Sequence, residues 1–262
     1  MRIAVLGATG VAGRAFVPKA RARGHTLATE RVDVFDAAGL EALLRGCDAV
    51  VNLVTSIPRP GGRGDWAAND RIRREGTGLV IEACQRAGAV TLVQQSVAML
   101  HCVADDRPQT EDDPIEGYGV LQSAVDMEAH VRETALDARL VRGALFVGSG
   151  TGREEQWAAD VAQPDFRVPG DGRGWLSLVH VDDYASALLA VLERGQPRAA
   201  YIASGEPVRW QDLYQGVAAS AGLPPPLPGG VERLRSFRVS NQKLRALGWH
   251  PHHPWPRPTT ND

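Results

Sequence analysis

Short aliphatic runs without charge alternate along this chain with longer segments whose apolar residues recur at helical spacing. Arg2–Leu6 is the first run, and after Arg2 it carries nothing polar, the pattern of a strand buried on both faces of a parallel sheet. From Val11 through Ala20 the spacing becomes helical. Asp48–Thr55 (DAVVNLVT), Val90–Ser96, Leu140–Val147 and Ala199–Ala203 repeat the strand pattern, and Leu176–Val181 is extended as well. Between them Ala37–Arg45, Trp66–Ala87, Tyr118–Thr134 and Asp182–Glu193 read as helices. This alternation predicts an α/β fold built on a doubly wound parallel sheet.

Two regions break the pattern. Thr26–Thr29 is extended and Arg31–Val34 has strand character, but parallel neighbours need a crossover of about a dozen residues, and almost none is present. Either one strand and its helix are missing or Thr26–Val34 is one bent edge element; both shorten the second crossover. Pro58–Gly64 (PRPGGRG) is a loop by composition, Asp105–Pro114 is acidic and proline-bearing, and Gly148–Gly174 is a glycine-interrupted excursion. Gly205 to Trp249 suggests two short helices around GLPPPLPGG, and Pro251–Asp262 a loose tail. Residues 1–148 and 177–204 are therefore expected to form the sheet-bearing core, with 149–176 and 205–262 as a small lobe and tail.

Between the first strand and first helix, Gly7, Gly10 and Gly13 lie three residues apart. Without Cβ atoms a backbone can approach a pyrophosphate closely, and the free N–H groups of a first helical turn supply donors and partial positive charge. A dinucleotide is the expected ligand of Gly7, Thr9, Gly10, Val11, Ala12 and Gly13. At the end of the second extended segment Glu30 would accept from the adenosine ribose, whereas Arg31 or Arg14 would meet a 2′-phosphate, so NAD and NADP both remain open. Val54, Thr55 and Ser56, at the end of another strand, belong at the same crevice.

Composition narrows the class. The chain has 262 residues, 44% of them hydrophobic, enough for a sizeable core, and a formal charge of −2 that gives no global attraction to nucleic acid or anionic membrane. With no apolar stretch of about 18 residues and no signal peptide, a cytoplasmic location is expected. Cys47, Cys84 and Cys102 are unpatterned and read as free thiols. His250, His252 and His253 lack partners at ligand spacing, so no metal is expected. Arg71, Arg73 and Arg74 read as a solvated helix face. Only Lys19 and Lys243 among 29 basic residues are lysine.

Taken together, GATGVAG, Ser96, Tyr118, Val179–Asp183 and the carboxy-terminal segment resemble the short-chain dehydrogenase/reductase superfamily, in its extended, epimerase/dehydratase-like branch. The resemblance spans nearly the whole chain. It implies a Rossmann-like sheet, NAD or NADP as cofactor, Asp33 and Val34 as the adenine contact, and Asn52, Leu53 and Val54 under the nicotinamide ribose. Tyr118–Gly119 followed by Glu128 resembles the active-site helix, and Arg142 through Gly148 the strand and turn after it. In such enzymes a serine holds the substrate oxygen, a tyrosine exchanges a proton with it, and a lysine four residues on binds ribose and lowers the tyrosine pKa. Here Ser96 and Tyr118 fill the first two places, and position 122 is Gln122. An amide can hydrogen-bond a ribose hydroxyl but carries no charge to hold a phenolate, which suits Tyr118 to donating a proton in carbonyl reduction better than to accepting one in alcohol oxidation.

Three functions compete on this reading: an NAD(P)H-dependent reductase, a non-redox cyclase, isomerase or dehydratase using Tyr118 as general acid, and a sensor of dinucleotide or small ligand without turnover. The aromatics Phe146, Trp157, Phe166 and Trp175 suggest a flat or apolar small-molecule substrate, or else lobe core, and Arg59 and Arg153 stand where an acidic group could be met. Helix-face dimers are common in the resembled superfamily, so a homodimer is one expected arrangement.

Overall fold

The computed structural model describes residues 1–58, 64–89, 91–102, 106–232 and 234–254. Arg59, Val90, Asp105 and residues 255–262 of the expected tail lie outside the described residues. The strands in chain order are β1 (Arg2–Leu6), β2 (Thr26–Ala28), β3 (Ala49–Asn52), β4 (Thr91–Val97), β5 (Asp137–Gly143), β6 (Leu145–Val147), β7 (Val168–Pro169), β8 (Trp175–Leu176), β9 (Leu178–His180), β10 (Ala200–Ala203), β11 (Val208–Arg209) and β12 (Pro228–Gly230). Six of them form the central sheet in the order β10-β5-β4-β3-β1-β2, parallel throughout. The other six pair two by two at its carboxyl side, β6 with β9, β7 with β12 and β8 with β11.

Side-chain alternation along β1 explains the layering. Ile3 and Val5 face a core shared with α1 (Val11–Ala22), whereas Ala4 and Leu6 face the opposite core with α2 (Ala37–Leu44). α7 (Val181–Arg194) packs beside α1, and α4 (Thr77–Ala87) beside α2. Both faces of the sheet are thus covered, as its largely buried strands require. The winding reverses between β1 and β3, and at their carboxyl ends the sheet opens into a crevice.

The second crossover is short, as expected, and its form is now defined. β2 has three residues, and the strand character of Arg31–Val34 is not realised. The chain runs irregularly to Asp36, whose carboxylate caps α2 by accepting from the Gly39 amide at 3.0 Å.

Trp66–Ala87 departs from a single helix. It is α3 (Trp66–Arg71), a π-helical turn over Ile72–Gly76, then α4. The extra residue in that turn carries Arg73 to the interior at 4% exposure, where a solvated face was expected. The described part of the tail is also anchored: the His252 and His253 amides donate to the Asp183 carboxylate at 3.0 and 2.9 Å, and the His253 ring stacks on His180. Cys47 and Cys84 are buried free thiols, Cys102 is half-buried, and burial pushes Cys84 up to about 12.

At the heart of the crevice, Gly7 has φ +79°, and a Cβ on it would lie 2.8 Å from the Leu53 carbonyl carbon. A Cβ on Gly13 would overlap the Gly7 carbonyl oxygen. The turn therefore closes only because both residues lack side chains. Gly13→Ala should destabilise the protein by about 1–3 kcal/mol, lowering its thermal midpoint by about 3–10 °C in calorimetry; an unchanged midpoint would contradict this packing.

Candidate active site

The crevice is a cleft of about 1220 Å3. Gly7, Thr9, Gly10, Val11 and Ala12 form its floor, where the first turn of α1 has no side-chain cap and no acidic residue, so its amides remain available to an anion. Gly13 lies behind that floor, and Arg14 folds back to donate to the Thr9 carbonyl at 3.1 Å. Leu53, Val54 and Thr55 stand opposite, shaped by buried Asn52: its side-chain oxygen accepts from the Val54 amide at 3.2 Å, and its amide donates to Gln94 at 2.8 Å. Glu30, Arg31, Asp33 and Val34 line the far edge. There Asp33 accepts from the Phe35 amide at 3.0 Å, and Phe35 lies beneath the Arg71 guanidinium. That edge carries two carboxylates and a guanidinium.

Ser96 closes β4 at the cleft wall, but its hydroxyl proton is committed. It donates to Glu128 Oε1 at 2.7 Å. Glu128, on α5 (Gln122–Glu133), also receives Arg142 Nε at 2.9 Å and Nη2 at 2.6 Å, a two-pronged pair with both side chains buried. Arg142 Nη1 lies 2.9 Å from His101 Nε2. Since arginine only donates, His101 accepts there and carries its proton on Nδ1. Burial and the neighbouring Arg142 charge push His101 down to about 4. Burial acts to raise the Glu128 carboxyl, and the hydrogen bonds and charge of Arg142, with Ser96 and Arg132, outweigh it and hold it below its ordinary value.

Tyr118 lines the cleft just before a single 3-10 turn, Gly119–Leu121, that leads into α5. Its ring lies under the Arg235 guanidinium, 4.5 Å from the centroid. Burial raises the phenol pKa more than the Arg235 amide and charge lower it, and the hydroxyl makes no well-formed hydrogen bond among the described residues. The phenol is therefore neutral at ordinary pH. Gln122 is exposed, packs over Gly117, donates to Asp126 at 3.0 Å, and does not line the cleft. Instead, a cation enters the wall from the π-helical turn. Arg73 donates to the Val120 carbonyl at 3.4 Å and to Ser123 Oγ at 3.3 Å, and burial lowers it to about 10, opposed by Asp70.

Of the residues expected at the substrate end, Phe146 lines the cleft and packs against Tyr184 at 4.6 Å. Ser56, Trp157, Phe166 and Trp175 do not line it, and Phe166 packs instead on Tyr214 at 4.7 Å. Ser56 braces the loop before α3, its amide donating to Asn69 at 3.0 Å. Trp157 is core, and Trp175 is stacked between Arg209 and Arg238 while donating to Asp106. Arg153, which the sequence offered as a residue that could meet an acidic group, lines the cleft, and so do Trp66, Val97 and Met99, which were not singled out for it. Trp66 alone advertised itself, as a large aromatic opening a helix beside a glycine-rich loop.

Comparison with known proteins gives the family and the fold. The sequence profile of the NAD dependent epimerase/dehydratase family matches residues 3–203. The chain is 32% identical to a 3-diazoavenalumate denitrifying reductase from a Streptomyces species, over 97% of both chains. It is 26% identical to a 2-alkyl-3-oxoalkanoate reductase from Stenotrophomonas maltophilia, over 92% of this chain and 80% of that one. Its fold superposes on a dTDP-glucose 4,6-dehydratase from Streptomyces venezuelae, solved with NAD, with a TM-score of 0.82 at 20% identity, over 97% and 93% of the two chains. The chain belongs to the NAD dependent epimerase/dehydratase family. The residues present fit an NAD(P) dinucleotide: the turn at Gly7 and Gly13 admits no Cβ, and the uncapped start of α1 faces the cleft. Among the described residues no helix is long and apolar enough to cross a membrane.

The buried network sets the acid limit of the fold. Both His101 and Glu128 have folded-state pKa values below their unfolded ones, so their contributions are complete at neutral pH and are lost on acidification. Stability should decline as the pH falls from about 6.5 towards 4, where His101 titrates, and more steeply below about 4.5, where Glu128 adds to it. Glu128→Gln should cost about 3–5 kcal/mol at pH 7 by leaving Arg142 unpaired, and should flatten the limb below pH 4.5 in denaturant titrations.

Proposed function

We propose that the protein is an NAD(P)H-dependent reductase that acts on a small, flat, largely apolar electrophile, with Tyr118 as the proton donor. The observation that carries this reading is the neutral phenol on the wall of a cleft whose floor is the glycine turn. With Gln122 turned out to Asp126, nothing four residues on stabilises a phenolate. A phenol of this kind gives up a proton to a developing alkoxide and is poor at removing one from an alcohol. The two relatives whose names say reductase support the same direction.

In this scheme Gly7 through Ala12 hold the diphosphate, Glu30, Arg31 and Asp33 meet the adenosine end, and Leu53, Val54 and Thr55 border the nicotinamide ribose. The bound dinucleotide supplies a hydride. Tyr118 supplies the proton, so a carbonyl becomes an alcohol. Ser96 and Glu128 act as positioning residues that fix the ends of β4 and α5 around the substrate. Phe146 and Trp66 offer flat apolar contact.

One observation favours a second substrate chemistry. Ser96 has committed its proton to Glu128, which leaves Tyr118 as the side-chain hydroxyl of this pair available to clamp a carbonyl oxygen. An aryl diazo group needs no such clamp, because hydride adds to carbon while the carbon–nitrogen bonding pair departs with dinitrogen. The relative at 32% identity is a denitrifying reductase of 3-diazoavenalumate.

The test assays NADH and NADPH consumption with an aromatic ketone and with an aryl diazonium carboxylate. On the ketone, Tyr118→Phe should lower kcat by about 100-fold or more with little change in KM. Because burial raises the phenol above its ordinary value, any alkaline fall in wild-type kcat that reports this group should lie above the range of an ordinary tyrosine. Absence of binding of either reduced dinucleotide at millimolar concentration in calorimetry would remove the reductase reading. Product formation without nicotinamide would replace it with acid catalysis.

A further inference from the structure

The cleft contains an arginine that makes no ion pair among the described residues. Arg153 opens α6 (Arg153–Val161) and lines the wall with Phe146 and Thr151. Its Nε is buried, and no described residue accepts from it. Two carboxylates stand near enough to influence it, Glu154 and Asp160, and all four of their oxygens accept from other groups. Glu154 accepts from the Gly148 amide at 2.7 Å and the Thr151 hydroxyl at 3.2 Å. Asp160 accepts from Gln156 at 2.7 Å and from Tyr214, which α8 (Trp210–Ser220) supplies, at 3.0 Å. Arg153 makes no ion pair with a described carboxylate. Burial, opposed by those partial interactions, lowers its pKa, the sign of a cation short of solvent and of a partner.

The remaining charges of the cleft sort themselves by place. Glu30, Arg31 and Asp33 belong to the adenosine edge, and Arg73 is held by Val120 and Ser123. That leaves the Phe146–Arg153 wall positive and free of lining carboxylates. Resting on the reductase reading above, we propose that Arg153 is the substrate's anion receptor, and that the substrate is an aromatic or otherwise flat molecule bearing a carboxylate. A guanidinium presents paired donors that match a carboxylate's two oxygens. One arginine matches one negative charge, and the adjacent Phe146 ring matches the flat apolar body. The dinucleotide's diphosphate is the other anion at hand, since the Gly148–Gly152 loop comes close to Arg14 on α1. It already has the uncapped first turn of α1 as its receptor.

The experiment uses the full chain loaded with NADP+ and two calorimetric probes, 4-hydroxycinnamate and its neutral primary amide. The acid should bind about 10- to 100-fold more tightly than the amide. Arg153→Gln should abolish that preference while NADPH affinity stays within about 2-fold, and Arg153→Lys should retain part of it. Equal binding of acid and amide, or binding of neither, overturns the proposal, as does a preference that survives in Arg153→Gln. If Arg153→Gln instead weakens NADPH, the anion is the cofactor's diphosphate and the substrate assignment falls. Failure of the wild-type chain to bind NADPH is a separate result, and it removes the reductase reading itself. Arg153→Lys, which keeps the charge and most of the volume, decides the matter if the glutamine variant does not fold.

Discussion

The paired hydrogen bonds between Arg142 and Glu128 hold the cleft in shape. Three elements meet there: β5 brings the guanidinium, α5 the carboxylate, and the end of β4 adds Ser96, with His101 closing the far side of Arg142. Two opposite charges without solvent are tolerated because almost every polar atom of the group has a partner. The cost of removing any one member is what locks the others. Tyr118 rides on the turn that enters α5, so the position of its phenol follows from a salt bridge ten residues further along the chain.

Much of the architecture was legible in the sequence because buried parallel strands and amphipathic helices have distinct periods. The run Arg2–Leu6, uncharged after Arg2, the glycines after it and the run Asp48–Thr55 announce a switch-point crevice before any tertiary contact is known. The misreadings have a common cause. Arg73 looked solvated because it stands between Arg71 and Arg74, and only the π-helical turn, which depends on packing against the start of α5, rotates it inward. Arg31–Val34 has strand-like residues but no neighbour to pair with. Trp157 and Trp175 are as aromatic as Phe146, and their exclusion from the cleft depends on where α6 and the β8–β11 ribbon dock. Ser96 was visible at a strand end, yet its commitment to Glu128 spans 32 residues and no local pattern encodes it.

The cradle and the chemistry beside it are built from different elements. Gly7, Gly13 and the uncapped α1 preserve the dinucleotide site, whereas Gln122 turns outward and Arg73 and Arg153 bring guanidinium groups to the cleft from other elements. Positive charge reaches the cleft from Arg73 and Arg153 on its walls and from Arg235 over the Tyr118 ring.

The brevity of β2 has a bearing on turnover. An enzyme that removes a hydride from its substrate and later returns it can keep one dinucleotide indefinitely, and a deep adenosine pocket serves it well. A reductase must exchange spent for fresh dinucleotide every cycle. Three strand residues followed by an irregular stretch form the open margin of the sheet, and on the reductase reading proposed above such a margin would suit a cosubstrate that comes and goes rather than a permanent tenant.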